Sequence, residues 1–359
     1  MSDIKRAVFV TGGTGLVGSY LIKELLDQGN KVYALARSIN NQLPDERVAR
    51  ALEFWYGSNF PLGKRRNLHV MEGDITLDFL GLSKKNRETL VADVSEIFHC
   101  AAIVKFNARA EKLRAVNVLG LRNVLELGMQ CCRDGKFKKV NHISTAFICG
   151  DYNGDFNESS FDVGQKLVSP YVQSKFEAEK LLRQYRNAGL WVDIFRPCAI
   201  IGESSTGKLP SRNHLLLQVL SLQKKGILDY WPQGLFLKAV FVDELCRCVL
   251  RLSEGNARLN QTYHPFPSYA ICLDDLFAVG IKYYGIKKPR FMPLDEFLSK
   301  VSAVQKAALR YNVLYMNQKV LLNSRETIKV AADSGFQFVP LTEKHMERIY
   351  AYYMDLTRE

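Results

Sequence analysis

Short apolar runs alternate with amphipathic stretches of helical period through the first half of this chain. Residues 7–10, Lys31–Ala36, 67–71, 96–100 and Lys139–Ile143 are apolar enough for buried strands. Residues 16–26, 45–55, 109–132 and 171–182 carry apolar positions at helical spacing between or after them. Strand and helix in strict alternation imply right-handed crossovers and a parallel sheet covered on both faces. The expected fold is α/β, a doubly wound parallel Rossmann sheet. After residue 203 the alternation weakens: 215–225 is helical, 239–252 joins a strand to a helix, 260–264 reads as a strand, and Pro265, Pro267, Pro289 and Pro293 break the pattern. This divides the chain into a dinucleotide-binding domain over 1–202 and a smaller C-terminal substrate lobe over 203–359, interleaved with the sheet around 239–265. The amphipathic segment 342–356 is expected to dock on the lobe or to form an oligomer contact.

The turn after the first strand is Thr11-Gly12-Gly13-Thr14-Gly15-Leu16-Val17-Gly18. Glycines at 12 or 13, 15 and 18 satisfy the dinucleotide turn. One permits the bend, one lets backbone approach a pyrophosphate, and one lets helix pack on strand. The pyrophosphate rests on unpaired N–H groups at the positive end of the helix. Arg37 follows the second strand, 19 positions after Gly18, where an NAD site would carry an acidic residue. An arginine there accommodates a 2′-phosphate, so NADPH is the expected cofactor, with Ser38 and Arg47 beside it. Asp74, before Ile75, either accepts the adenine amino group or caps a turn. Ala101 and Ala102 are small enough to let the fourth strand's end approach the ribose, and Asn117, inside the long helical pattern, joins the cofactor set.

Composition narrows the class. The chain has 359 residues, 47% of them hydrophobic, so it can bury a large core. No apolar run approaches the roughly 20 residues of a membrane span, and the expected compartment is the cytoplasm. Eight cysteines show no zinc spacing and read as reduced packing residues; His99 reads as structural, and no metal is expected. The net charge of +12 favours anionic partners such as a phosphorylated cofactor or an acidic carrier. No aromatic-basic recognition motif accompanies it, so nucleic acid is not expected.

The candidate chemistry follows the fifth strand. Ser144 and Thr145 lie at its end, and 26 residues after Thr145 Tyr171-Val172-Gln173-Ser174-Lys175 opens a helix. Tyr171 and Lys175, four apart, share one helix face. A tyrosine of pKa about 10 needs a neighbouring ammonium to work near neutrality. The lysine's remaining donors can hold the nicotinamide ribose, and the strand-end hydroxyl can orient a substrate carbonyl. With the glycine turn, this combination resembles the extended short-chain dehydrogenase/reductase family over about residues 5–245. The resemblance includes 192–202 (VDIFRPCAIIG), where an Arg-Pro normally lies by the nicotinamide, and it adds Pro197, Ala199 and Ile200 to the cofactor set. Aligned on Gly150, it implies Thr145 rather than Ser144 as the catalytic hydroxyl, with Tyr171 and Lys175.

Within that family the chain is most similar to thioester reductases, the group of fatty acyl-CoA reductases and terminal reductase domains of carboxylic acid reductases and peptide synthetases. Residues 46–55 (ERVARALEFW), 73–82 (GDITLDFLGL), Ser144-Thr145-Ala146 and 202–207 (GESSTG) carry this likeness. It implies NADPH-dependent reduction of an acyl thioester, on coenzyme A or an acyl carrier protein, to an aldehyde or onward to an alcohol. The alternatives are a ketone or hydroxysteroid-type carbonyl reductase using the same three residues, and a cofactor-binding regulatory protein without turnover. Leu235, Phe236, Tyr283, Tyr284 and residues 311–315 are candidates for an acyl tunnel, with core packing the competing reading.

Overall fold

The computed structural model describes residues 6–57, 60–105, 108–132, 135–210, 220–221, 224, 229–254, 259–301 and 320–356. Seven parallel strands form the central sheet: β1 (Ala7–Thr11), β2 (Lys31–Ala36), β3 (Leu68–Glu72), β4 (Glu96–His99), β5 (Lys139–Ile143), β6 (Val192–Phe195) and β7 (Thr262–Tyr263). Their order is β7-β6-β5-β4-β1-β2-β3. The chain winds outward from β1 to β3, then returns to place β4 on the other side of β1. Ligands of such sheets bind beyond the strands' carboxyl ends where the winding reverses, here after β1 and β4.

All five residues of β1 are buried, as are all four of β4, β5's five and β6's four. Strands covered on both faces need apolar residues on both. Two cores supply the cover. One runs from Val8 and Val10 through Leu21 and Leu25 to Val249; the other runs from Phe9 and Ile97 through Leu121 and Val124 to Leu182. Polar residues interrupt β5: Lys139 donates to Asp193 at 2.7 Å and Asn141 to Glu96 at 3.0 Å, while the Asn141 Oδ1 has no partner among the described residues.

Helix boundaries fall within one residue of those read from the sequence at Leu16–Asp27 and Pro44–Tyr56, whereas the tyrosine helix, Pro170–Asn187, runs five residues past the end expected at 182. The stretch 109–132 differs. It is helical as Ala110–Arg114 and Gly120–Cys131, but Ala115–Leu119 between them is a π-turn centred on Asn117.

The chain re-enters the sheet after residue 203. Ala239–Phe241 pairs in parallel with Ala199–Ile201, Val242–Glu254 packs on the first helix, and β7 closes the sheet edge against β6. A further core around Trp231, Phe277, Phe297 and Tyr350 builds the lobe. Its last helix, Glu343–Leu356, buries Met346, Ile349, Tyr350 and Tyr353; a Cβ at Gly280 would sit 2.6 Å from the Tyr350 ring. The 202–207 turn ties that helix to the Leu16–Asp27 helix. Arg348 donates to the Ser204 carbonyl at 2.9 Å, and Tyr20 donates to Glu203 at 2.8 Å. Residues 311–315, and most of 215–225, lie outside the described residues. No described helix is long and apolar enough to cross a membrane.

Candidate active site

The glycine turn is built as its residue types require. Gly12 has φ +77°, and a Cβ there would lie 2.6 Å from the Ala101 backbone nitrogen. A Cβ at Gly18 would collide with the Gly12 carbonyl. Gly15 caps the Leu16–Asp27 helix without a side-chain hydrogen bond, and its N–H donates to Gly12 O at 2.9 Å. The cradle therefore presents backbone N–H groups and helix dipole to whatever approaches, which fits a pyrophosphate. Thr14 is exposed at the mouth, Leu16 and Val17 are half-buried, and Thr11 is fully buried.

At the ends of β2 and β3, Arg37 donates to Asp74 at 3.1 Å and Arg47 donates to the Arg37 carbonyl at 2.5 Å. Burial pushes the Asp74 carboxyl up, but the Thr76 N–H and hydroxyl, with Arg37, hold it below the usual carboxylate range. Burial and the Arg37 charge push Arg47 down. Ser38 donates to Glu72 at 2.5 Å. Ile75 is core, packed against Gly120 and held through its carbonyl by Asn123 at 2.8 Å. Two arginines and two carboxylates, Glu72 and Asp74, thus meet at the ends of β2 and β3.

Two of the three candidate catalytic residues, Thr145 and Lys175, lie at the end of β5, and Tyr171 sits one turn before Lys175 on its helix. Thr145 caps the short helix Ala146–Cys149, accepting from Phe147 N at 3.3 Å, and its hydroxyl donates to the Pro197 carbonyl at 3.4 Å. Ser144, by contrast, donates to Glu179 at 2.6 Å and faces into the core. Ser169 caps the Pro170–Asn187 helix, and Pro170 at its first position supplies a preset φ. Tyr171, on the first turn, packs with Leu113 and Val172 beside Phe147. One turn on, the Lys175 Nζ donates to the Ile143 carbonyl at 2.7 Å, two residues from Thr145. Burial pushes Lys175 down to about 8, partly offset by Glu179 and Cys100.

Asn117 is placed between elements rather than at the glycine turn. Its amide accepts from Ile103 N at 2.8 Å and donates to Ile103 O and to the Ser174 hydroxyl, joining the loop after β4 to the tyrosine helix. The Arg-Pro stretch divides its roles. Arg196 is fully buried and bridges Glu179 at 2.7 Å, whereas the Pro197 carbonyl faces Thr145. Ala199 lies in the lobe core and Ile200 packs on the main one. Of the tunnel candidates, Leu235 is lobe core, Phe236 and Tyr283 are exposed, and Tyr284 stacks on Tyr350 at 5.7 Å. No described group of His, Cys, Asp or Glu could hold a metal, and none of the cysteines, all of them described, forms a disulfide.

Sequence reasoning missed two buried pairs. Glu179 and Arg196 are 17 positions apart on different elements, so no local period announces them. His99 and His142 stack at 5.2 Å beside Lys175 because β4 and β5 are neighbours in register.

A glycine turn on a switch point, with a strand-end threonine and a Tyr-x-x-x-Lys helix across from it, defines a Rossmann domain of short-chain dehydrogenase/reductase type. The chain belongs to the NAD-binding family described as male sterility protein, whose model matches residues 10–249. It is 28% identical over 315 residues to the non-canonical nonribosomal peptide synthetase FrzA of Cladobotryum sp, covering 84% of this chain and 30% of that protein. It is 30% identical over 229 residues to the fatty acyl-CoA reductase wat of Drosophila melanogaster, covering 55% of this chain and 43% of that protein. The chain thus spans less than half the length of either relative. Among solved structures it is similar to the terminal R domain from the myxalamid PKS-NRPS biosynthetic pathway, with TM-score 0.84, 25% identity, and 99% and 92% of the two chains covered.

Proposed function

We propose that this chain reduces an acyl thioester, on coenzyme A or a carrier protein, to the aldehyde, using NADPH. The observation that carries the reading is Lys175 seated on the Ile143 carbonyl beside Thr145, with Tyr171 one turn earlier on the same helix. Relatives named as a peptide synthetase and a fatty acyl-CoA reductase favour a thioester over a free ketone. Bound NADPH supplies the hydride. The Thr145 hydroxyl and the Tyr171 phenol hold the developing oxyanion, and electrostatic stabilisation of this kind is often the largest catalytic term. Tyr171 gives its proton to that oxygen and Lys175 replaces it. The hemithioacetal hydroxyl then returns its proton to Tyr171, and through it to Lys175, as the carbon–sulfur bond breaks, the sulfur leaves with the electron pair and takes a proton from water, and the carbonyl of the aldehyde forms. A second reduction would carry the aldehyde to an alcohol at the same three residues.

Free-thiol release during NADPH oxidation tests the substrate class. One thiol per NADPH is expected at the first step across a panel of acyl-CoA and acyl-pantetheine thioesters. Turnover of ketones with no thiol from any thioester would replace this reading with a carbonyl reductase.

The NADPH assignment rests on Arg37 with Arg47 behind it. Arg37→Ala removes a charge-assisted bond to the 2′-phosphate and is expected to cut the NADPH-over-NADH ratio of kcat/KM by roughly 10-fold. An unchanged ratio would refute the phosphate role.

A further inference from the structure

Lys175 has a second buried partner besides the Ile143 carbonyl. Its Nζ lies 3.3 Å from His142 Nε2, on the strand whose end carries Thr145. An ammonium only donates, so Nε2 accepts and the His142 proton sits on Nδ1, which has no partner among the described residues. The ring stacks on His99, whose Nδ1 pairs with the Thr11 hydroxyl at 2.7 Å. Thr11 opens the glycine turn, so one buried row joins the cofactor cradle to the lysine.

We propose that His142 is a positioning residue for Lys175: its neutral imidazole and the Ile143 carbonyl take two of the ammonium's three N–H bonds, leaving the third for the reaction. This rests on the catalytic reading of Lys175 given above. His142 can accept because it stays neutral. Burial, then the Lys175 charge and His99, hold it well below the ordinary histidine range; burial and Lys175 push His99 down to about 3. The titratable and charged groups facing Lys175 are Glu179 and Tyr171 on its own helix, Cys100 and His99 from β4 and its end, and His142 from β5. Glu179 and Cys100 both favour the ammonium through charge, yet among the described residues neither is a hydrogen-bond partner of its nitrogen. His142 is the side chain that fixes its direction.

The acceptor stabilises the charged form, so its loss makes Lys175 give up its proton at lower pH. The test is a carbon-13 NMR titration of the Lys175 side chain in the cofactor-free protein, assigned by its disappearance in Lys175→Met. Wild type is expected to titrate near 8. His142→Leu, which fills the space without accepting, should lower that midpoint by about one pH unit. His142→Gln, whose amide oxygen reaches about as far as Nε2, should restore most of it. The alkaline limb of kcat should follow the same order. Equal midpoints in all three proteins would overturn the proposal, as would a glutamine variant shifted as far as leucine. If His142→Leu does not fold, His142→Asn replaces it, its amide being too short to reach; an unshifted midpoint there also overturns the proposal. Lys175→Met separates the two readings. Wild-type turnover in that variant would refute the catalytic role of Lys175, while the titration would still decide what His142 does.

Discussion

Tyr171→Phe is expected to abolish most turnover while leaving the protein folded and able to bind its cofactor. The phenol is 5% exposed and packs with Leu113 and Val172, so a phenylalanine ring keeps those contacts. Only the hydroxyl is lost. A positioned general acid is worth roughly 10²–10⁴-fold, and kcat should fall in that range with thioester KM little changed. The wild-type pH profile carries the partner's signature. Lys175 must hold its proton to resupply Tyr171, and it loses it near pH 8. Turnover should therefore decline as pH rises through about 8, and the residual rate of Tyr171→Phe should lack that limb. Steady-state NADPH oxidation from pH 6 to 10 checks both. A phenylalanine variant with wild-type kcat would remove Tyr171 from the mechanism.

Glu179→Ala should be among the most destabilising single changes in the molecule. Glu179 and Arg196 are both wholly inaccessible and meet at 2.7 Å, with further bonds from the Ser144 hydroxyl and from Arg196 to the Ser160 carbonyl. Removing the carboxylate leaves a buried guanidinium without its counter-charge, a loss of roughly 3–5 kcal/mol. Urea unfolding measures it, and Glu179→Gln, which keeps acceptors for Ser144 and Arg196, should lose less. The pair also sets an acid limit. Burial raises the Glu179 pKa, but the Arg196 charge and the hydrogen bonds from Arg196 and Ser144 bring it below its ordinary value. A carboxylate depressed in the folded state adds stability above its unfolded pKa of about 4.3 and loses it as pH falls through the folded value. Glu179→Gln should therefore lose less stability than wild type between pH 5 and 3, to be read from urea midpoints.

The sheet and its turn were legible because their signals are local. Continuous apolar runs such as β1 and glycines at positions 12, 15 and 18 state backbone requirements that hold wherever the chain goes. Tyr171 and Lys175 were legible because their spacing is helical. The preference for Thr145 over Ser144 came from the resemblance aligned on Gly150 alone, since adjacent strand-end hydroxyls look alike by spacing; in the structure Ser144 is turned onto Glu179. Buried polar residues in β5 carry no label either. Lys139, Asn141 and His142 could have marked a solvated strand, and only the neighbouring Asp193, Glu96 and Lys175 account for them. Strand β7 was seen as a strand, but its place beside β6 depends on a return of some 60 residues through the lobe, from residue 203 to 262. Asn117 shows the same limit: the sequence marks a helix, and neither the π-turn there nor the bonds of its amide to Ile103 and Ser174 can be read from it.

The central claim is that Thr145, Tyr171 and Lys175 act together on a carbonyl delivered to the nicotinamide. A crystal structure of the NADPH complex measures this directly. The account predicts the Tyr171 hydroxyl beside the nicotinamide C4, Lys175 Nζ on the adjoining ribose while still seated on the Ile143 carbonyl, and Thr145 facing a cavity open to substrate. A phenol turned away from the nicotinamide, or a nicotinamide position filled by the chain's own side chains, would contradict it.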